Sequence, residues 1–462
     1  MGENTSKASN VLPLRGILYD PFKAGDLSKV MAPPYDVISQ EYQDVLYTRH
    51  PNNIVRLILG KTGENDAPGN NRYTRAKDGF YAWLKDGVLV RDTMPAIYYY
   101  TQTYRYLERE VVRKGFIALA RLRDLGEGNV HPHEKTLAGP KADRLNLMLS
   151  CKANLCCIFS LYSEPLGGRE GIVWMLEKNT ATAPLIDVQD DDGVINRVWR
   201  IVSKPVIDAV VLRMEDKPLF IADGHHRYET ALNYRNLMRR ETGRTSGREP
   251  FDYVMMYFSN MDDEGMTIMP THRVIHSLKG FDPDSFLKAI ADYFDVEGFG
   301  FNAEGWREAR KRFTERLAAK EREAVTAFGL YMRGRDSYLV LTLKDMSVMD
   351  TFFDALTPWV YKSLDVTVLH SLILGRVLNI TQGSQERQEN IVYVKGLDKA
   401  FSEVGKEPNQ ILFVMNPTRI EQVRAVAEAG LVMPQKSTYF YPKLLSGLVI
   451  NYLGEDGSAP GL

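Results

Sequence analysis

The stretch KPLFIADGHHRYETALNYRNLMRRE, beginning at Lys217, crowds Asp223, His225, His226, Arg227 and Glu229 into one junction. Leu219 to Ala222 form a short apolar run that predicts a strand, and Asp223-Gly224 predicts the turn out of it. From His226 onward, Tyr228, Ala231, Leu232, Leu237 and Met238 recur at helical spacing. The histidines and the arginine therefore sit at a helix N-terminus. Backbone N–H groups and the positive end of the helix dipole gather there, and Gly224 lets an anion come close to the backbone. The chemistry predicted is a phosphate seat: Gly224, His225 and Arg227 bind, with Arg227 able to grip two oxygens at once. His226 would donate a hydrogen bond or a proton to the transferring group, and Asp223 would hold a metal ion or orient a hydroxyl. In the plainer alternative Asp223 merely caps the helix and the histidines are ordinary polar groups; the cluster taken whole favours function.

Three further stretches carry reactive side chains. HPHEKTLAGPKADR gathers His131, His133, Glu134, Lys135, Lys141, Asp143 and Arg144 around Pro132, Gly139 and Pro140, which predicts a loop before a helix, able to close on an anionic ligand. The His-x-His pair lacks a third metal ligand at a clear spacing. MAPPYDVIS, from Met31, stiffens the backbone ahead of Asp36 with Pro33 and Pro34. Near the end, Lys436, Ser437, Thr438 and Lys443 offer cations and hydroxyls suited to phosphate, interleaved with Tyr439, Phe440 and Tyr441, which equally suit a buried aromatic strand pair. His272 and His276 have a His-x-x-x-His spacing but no glutamate after the first histidine, so a zincin site is excluded. Neither a P-loop nor a Gly-x-Gly-x-x-Gly fingerprint occurs, which excludes the commonest nucleotide seats.

These residues need a scaffold, and the composition allows a large one. At 462 residues, 44% hydrophobic and 25% charged, the chain can bury two or three cores. A net charge of −1 gives no global field for nucleic acid or a membrane surface. Cys151, Cys156 and Cys157 are an odd number in one segment and read as reduced, mostly buried thiols. No apolar run reaches the roughly 18 residues of a membrane span, and MGENTSKASN lacks a signal-peptide core, so the cytoplasm is the expected compartment.

Strands are expected in AIYYYTQTY from Ala96, VVRKGFIALARL from Val111 and LCCIFSLY from Leu155. GKTGENDAPGNNR from Gly60 and RRETGRTSGREP from Arg239 read as surface loops. Beyond Pro270, Trp306, Ala309, Phe313 and Leu317 form a helical stripe, AFGLYMRGRDSYLVLTL from Ala327 a hairpin, and DVTVLHSLILGRVL from Asp365 a buried helix. ILFVMNPTRIEQVRAVAEAG, from Ile411, reads as a strand, a cap at Thr418, a helix and a stop at Gly430. A boundary is expected near residue 276, giving a strand-rich domain over 1–275 and an α/β domain over 276–462.

ADGHHRYETA resembles the signature box of the ParB and sulfiredoxin superfamily, which opens a helix against nucleotide phosphates. More closely, MAPPYDVIS, NIVRLILG, HPHEKT, PKADRL, ADGHHRYETA, MPTHRV and MPQKSTYFYPKLLSGL resemble the family known as domain of unknown function 1015. The resemblance implies a mixed α/β (α+β) fold with a ParB/sulfiredoxin-like N-terminal domain and an α/β C-terminal domain completing its cleft. It further implies phosphoryl transfer like that of the free serine kinases, between ATP or ADP and serine, or hydrolysis of phosphoserine. The competing class is a nucleotide-gated DNA-binding or regulatory protein of the ParB type, against which stand the absence of a helix-turn-helix pattern and of a basic face. A nucleotide and a small amino acid are the expected partners. On this reading Mg²⁺ sits on Asp223, and phosphate binding extends to His131, His133, Lys135, Lys141, Arg144, Lys436, Ser437 and Thr438. The base that takes the serine proton is Glu134 or Asp36, with Glu134 preferred because a longer side chain on a closing loop acts only once substrate is present.

Overall fold

The computed structural model describes residues 9–125, 128–132, 134, 139–165, 170–180 and 183–454. The fold is mixed α/β, and its described residues divide into two compact units. The first lies within Met1–Pro132, Thr136–Thr267 and Pro442–Leu462, the second within His133–Lys135 and Ile268–Tyr441. An uninterrupted boundary at 275/276 differs from this division. It would cut the strand Thr271–His276, and it would part the closing segment from the first unit.

A mixed sheet organises the first unit. Its strands lie in the order Val130–Pro132, Leu219–Asp223, Ile158–Tyr162, Tyr253–Asn260, Arg109–Arg121, Ile97–Tyr106, Ile195–Ile201 and Ile186–Gln189, with Val11–Leu12 beside Arg109–Arg121. Leu219–Asp223 runs parallel to Val130–Pro132 and antiparallel to Ile158–Tyr162. The helix His225–Thr242 buries Tyr228, Ala231, Leu232 and Tyr234 in the same core as Ile221, Ile158 and Phe258. Its last turn takes in Arg239–Thr242, the first residues of the expected loop, and Arg239 is held there by Asp252 at 2.5 Å.

The closing segment is stitched into this unit by backbone pairing. Ser446 exchanges hydrogen bonds with Ala32, and Ile450 with Ile17. Buried Arg113 donates to the Pro442 carbonyl at 2.6 Å, and Gln102 donates to that of Lys443 at 3.0 Å. All three cysteines are free thiols, two buried and one half-buried.

The second unit has an antiparallel sheet in the order Phe294–Gly300, Ser337–Leu343, Ala327–Met332, Asn409–Val414, Thr271–His276, Ile391–Lys395. Side chains alternate between faces along a strand, so each strand feeds two cores. Ile275, Leu330, Leu341 and Phe413 fill one, Val274, Val340, Leu412 and Val414 the other. The expected stripe on Trp306–Arg322 buries Ala309, Phe313 and Leu317 in the latter, and Gly329 has no Cβ because one would lie 2.4 Å from Phe313. Thr418 is not a cap: the helix Ile420–Glu428 starts after Arg419, and the Thr418 hydroxyl donates to the Ser437 carbonyl. The expected buried helix from Asp365 is present, but Leu369–Val377 winds as a π-helix. Among the described residues, no helix is long and apolar enough to cross a membrane.

Candidate functional site

The strand Leu219–Asp223 ends on the carboxylate of interest, and the chain turns at Gly224 with φ 90° before the helix starts at His225. Only glycine adopts that conformation cheaply. A Cβ there would also lie 2.9 Å from the Arg227 guanidinium, which packs over the turn. Arg227 donates through Nη1 to the Cys157 carbonyl and through Nη2 to Asp223 Oδ2 at 3.1 Å. Lys443 lies 3.3 Å from the other oxygen, Asp223 Oδ1.

Burial pushes the Asp223 carboxyl up, but Lys443, Arg227 and His225 outweigh it and hold the group well below the usual carboxylate range. Burial likewise opposes the charge on Arg227, which Asp223, Cys156, Asp36 and Tyr35 restore. The cluster is thus two cations and an ionised carboxylate at the positive end of a long helix.

Exposed Asp36, on the short 3-10 turn Tyr35–Val37, lies within electrostatic reach of Arg227. Beside it, the Tyr35 ring sits under Arg144 at 4.0 Å, and burial, then Asp36, pushes its hydroxyl up to about 12. Arg144 is itself committed, to Asp143 and to the Ile58 carbonyl at 2.7 Å. Lys141 pairs with Glu229 at 2.6 Å and ties the helix Gly139–Cys151 to His225–Thr242. His131 stacks on Phe220 at 5.4 Å across the parallel pairing. A small cavity of about 50 Å³ behind Arg227, lined by Tyr35, Arg144, Cys156 and Thr230, has room for a water or two but not for a nucleotide.

The sequence-predicted residues thus fall into two groups. Asp36, His131, Lys141, Arg144, Asp223, Gly224, His225, His226 and Arg227 belong to the first unit, while Glu134, Lys436, Ser437 and Thr438 belong to the second. His133 and Lys135 lie outside the described residues. Glu134 Oε1 accepts from the Thr438 N–H at 2.9 Å and its hydroxyl at 3.0 Å. Ser437 is buried and donates to the Pro434 carbonyl at 2.5 Å. Exposed Lys436 has φ 58°, and its carbonyl accepts from Arg273 at 3.2 Å. Lys141, Arg144, Arg227, Ser437 and Thr438, all expected phosphate ligands, are thus engaged by protein groups.

Asp223 does not fit its expected part as a magnesium ligand, since each carboxylate oxygen faces a cation. Among the described residues, no group of three or more His, Cys, Asp or Glu could hold a metal ion. The contribution of Lys443 was visible in the sequence only as a nearby cation; nothing in residue spacing pairs it with Asp223.

The family described as "Protein of unknown function (DUF1015)" matches residues 11–367, well over half of the chain. No curated protein matches the sequence. Among solved structures, a free serine kinase in complex with AMP is 12% identical with a TM-score of 0.30, over 68% of this chain and 83% of that one. SbnI with a C-terminal truncation, from Staphylococcus aureus, is 8% identical with a TM-score of 0.32, over 74% of this chain and 90% of that one. A conserved hypothetical protein from Pyrococcus furiosus is 12% identical with a TM-score of 0.30, over 68% and 87%. Scores of this size do not establish a shared fold.

Proposed function

This chain belongs to the DUF1015 family, and we propose that it is a phosphoryl-transfer enzyme whose phosphate seat is the junction of Asp223, Gly224 and Arg227. The observation that carries the reading is the ionised Asp223 held between Arg227 and Lys443 at the N-terminus of an 18-residue helix. One carboxylate offsets one of two cations, and the helix dipole adds further positive potential, so the junction favours an anion. Phosphoryl transfer asks the protein mainly for charge stabilisation and in-line positioning.

In this reading Lys443 and the first turn of the helix stabilise the phosphoryl oxygens, and His225 and His226 in that turn supply further donors. Arg227 acts less as a phosphate clamp than as a positioning residue, since its guanidinium is tied to Asp223 and to the Cys157 carbonyl. The acceptor is a small hydroxyl amino acid, serine by family resemblance, and the donor ATP or ADP. The hydroxyl oxygen bonds to phosphorus as the bond to the nucleotide oxygen breaks, and the proton passes to a carboxylate. We take Asp36 as that carboxylate, because it is exposed and within electrostatic reach of Arg227. Glu134 is already engaged by Thr438.

An assay of serine-dependent ATP consumption, run beside phosphoserine hydrolysis with and without ADP, tests the proposal. Turnover in one direction supports it, and inactivity in all three overturns it.

A further inference from the structure

The second unit contains a cavity of about 300 Å³ that none of the phosphate chemistry uses. It is lined by Phe352, Phe353, Tyr361 and Tyr393, and by the π-helix residues His370, Ser371 and Gly375. Its volume is that of about ten water molecules and reaches the lower end of small-molecule sites. Phe353 and Tyr361 meet edge to face at 5.6 Å and 89°, and the Arg273 guanidinium fixes Tyr393 from 5.3 Å. The aromatic walls are therefore braced. π-helical turns are rare and concentrate at functional sites.

Two lining residues carry buried polar atoms that lack a partner among the described residues, Thr367 Oγ1 and His370 Nε2. Thr367 is only 2% exposed. Leaving such a group unsatisfied is costly, so native proteins seldom keep one without a water, an ion or a ligand to complete it. Burial, then Arg273, lowers the His370 pKa to about 3 against a side-chain hydrogen bond with Gln385, so its imidazole is neutral and Nε2 is left to donate or accept.

The lining also selects the charge of an occupant. Among the described lining residues there is no lysine or arginine, and Glu386 is the one carboxylate. A phosphate or carboxylate ligand would find no cation in that lining, since Arg273 is not a lining residue and faces the Tyr393 ring. A plain hydrocarbon would leave the threonine and imidazole unpaired. A flat ring bearing its own donors and acceptors satisfies both the aromatic walls and the polar atoms. We propose that this cavity of the second unit binds an uncharged heteroaromatic molecule of the nucleobase or nucleoside class.

Saturation-transfer NMR with the common nucleobases and nucleosides, on the full chain, tests this. At least one probe should bind the wild type with sub-millimolar Kd and shift the ring protons of His370. Its Kd should be unchanged in Arg227→Ala, which leaves the cavity intact. It should rise at least tenfold in Ser371→Phe, which fills the cavity, and in His370→Leu, with thermal melts confirming that both variants fold. If either fails to fold, the His370 ring-proton shift in the wild type decides the matter. Absence of binding by every probe, binding that persists unchanged in folded Ser371→Phe, or saturation without any shift at His370 would overturn the proposal.

Discussion

Asp223 and Lys443, far apart in the chain, face each other at 3.3 Å within the first unit. The pairing depends on the closing segment, which is pinned through Arg113 to the Pro442 carbonyl, through Gln102 to the Lys443 carbonyl, and through Ser446 to Ala32. The lysine is thereby delivered to a carboxylate at the head of a helix.

Replacing Lys443 with methionine should lower stability at neutral pH by about 2 kcal/mol, because it removes one partner of a largely buried charge. The pH dependence has a definite sign. The Asp223 pKa is lowered in the folded chain, so its contribution is fully present above the unfolded value of about 4 and is lost as pH falls toward the folded value. Urea unfolding from pH 5 down to pH 2 should therefore show a shallower loss of stability in Lys443→Met than in the wild type. Parallel curves would mean that the ion pair carries no such linkage.

Gly224→Ala should cost about 1–3 kcal/mol, from the left-handed backbone and the close approach of the Arg227 guanidinium. Arg227 must then shift, so phosphate affinity should fall with the melting temperature. A thermal melt with and without ATP reads both effects, and a variant as stable and as responsive as the wild type contradicts the tight turn.

The assignment of the base divides two carboxylates. Asp36→Asn should reduce kcat by about a hundredfold or more with KM for nucleotide little changed, the signature of a lost proton acceptor. Glu134→Gln should retain most activity and instead lower stability slightly through its Thr438 contacts. The reverse pattern would move the role to Glu134.

His272 predicts a second pH effect, in the other unit. Burial, then Arg273, lowers its pKa to about 4, and Nδ1 accepts the Met415 N–H, so the ring is neutral in the folded chain. The unfolded value is about 6.5, hence stability from this group is intact above that pH and falls as pH drops toward 4. The loss is on the order of 3 kcal/mol across that window. His272→Gln should flatten this part of the curve, and an unaltered profile would locate the titration elsewhere.

Much of the scaffold was legible from period and punctuation. The strand, glycine turn and helix from Leu219 to Thr242, the hairpin from Ala327 and the buried stripe of Ala309, Phe313 and Leu317 all follow from local rules that tertiary contacts reinforce. Long-range placement was not legible. Residue types alone made Arg144 and Lys141 look like phosphate ligands, whereas Asp143 and Glu229 occupy them. Thr418 looked like a cap because a threonine precedes an amphipathic run, yet its hydroxyl is used by Ser437. The π-helix was hidden because a wide turn and an α-turn share nearly the same apolar pattern over nine residues. The discontinuous first unit was hidden because no local signal reports that Pro442 and Lys443 return to Arg113 and Asp223.

The central claim is that phosphate moves at the Asp223, Gly224 and Arg227 junction. ³¹P NMR follows this directly, with the purified chain incubated with magnesium ATP and serine, with phosphoserine and magnesium ADP, and with phosphoserine alone. A phosphoserine resonance that grows or decays in at least one mixture with the wild type, and not with Lys443→Met or Asp36→Asn, is the predicted result. Spectra that stay unchanged in all three mixtures, or turnover in both variants equal to that of the wild type, would contradict it.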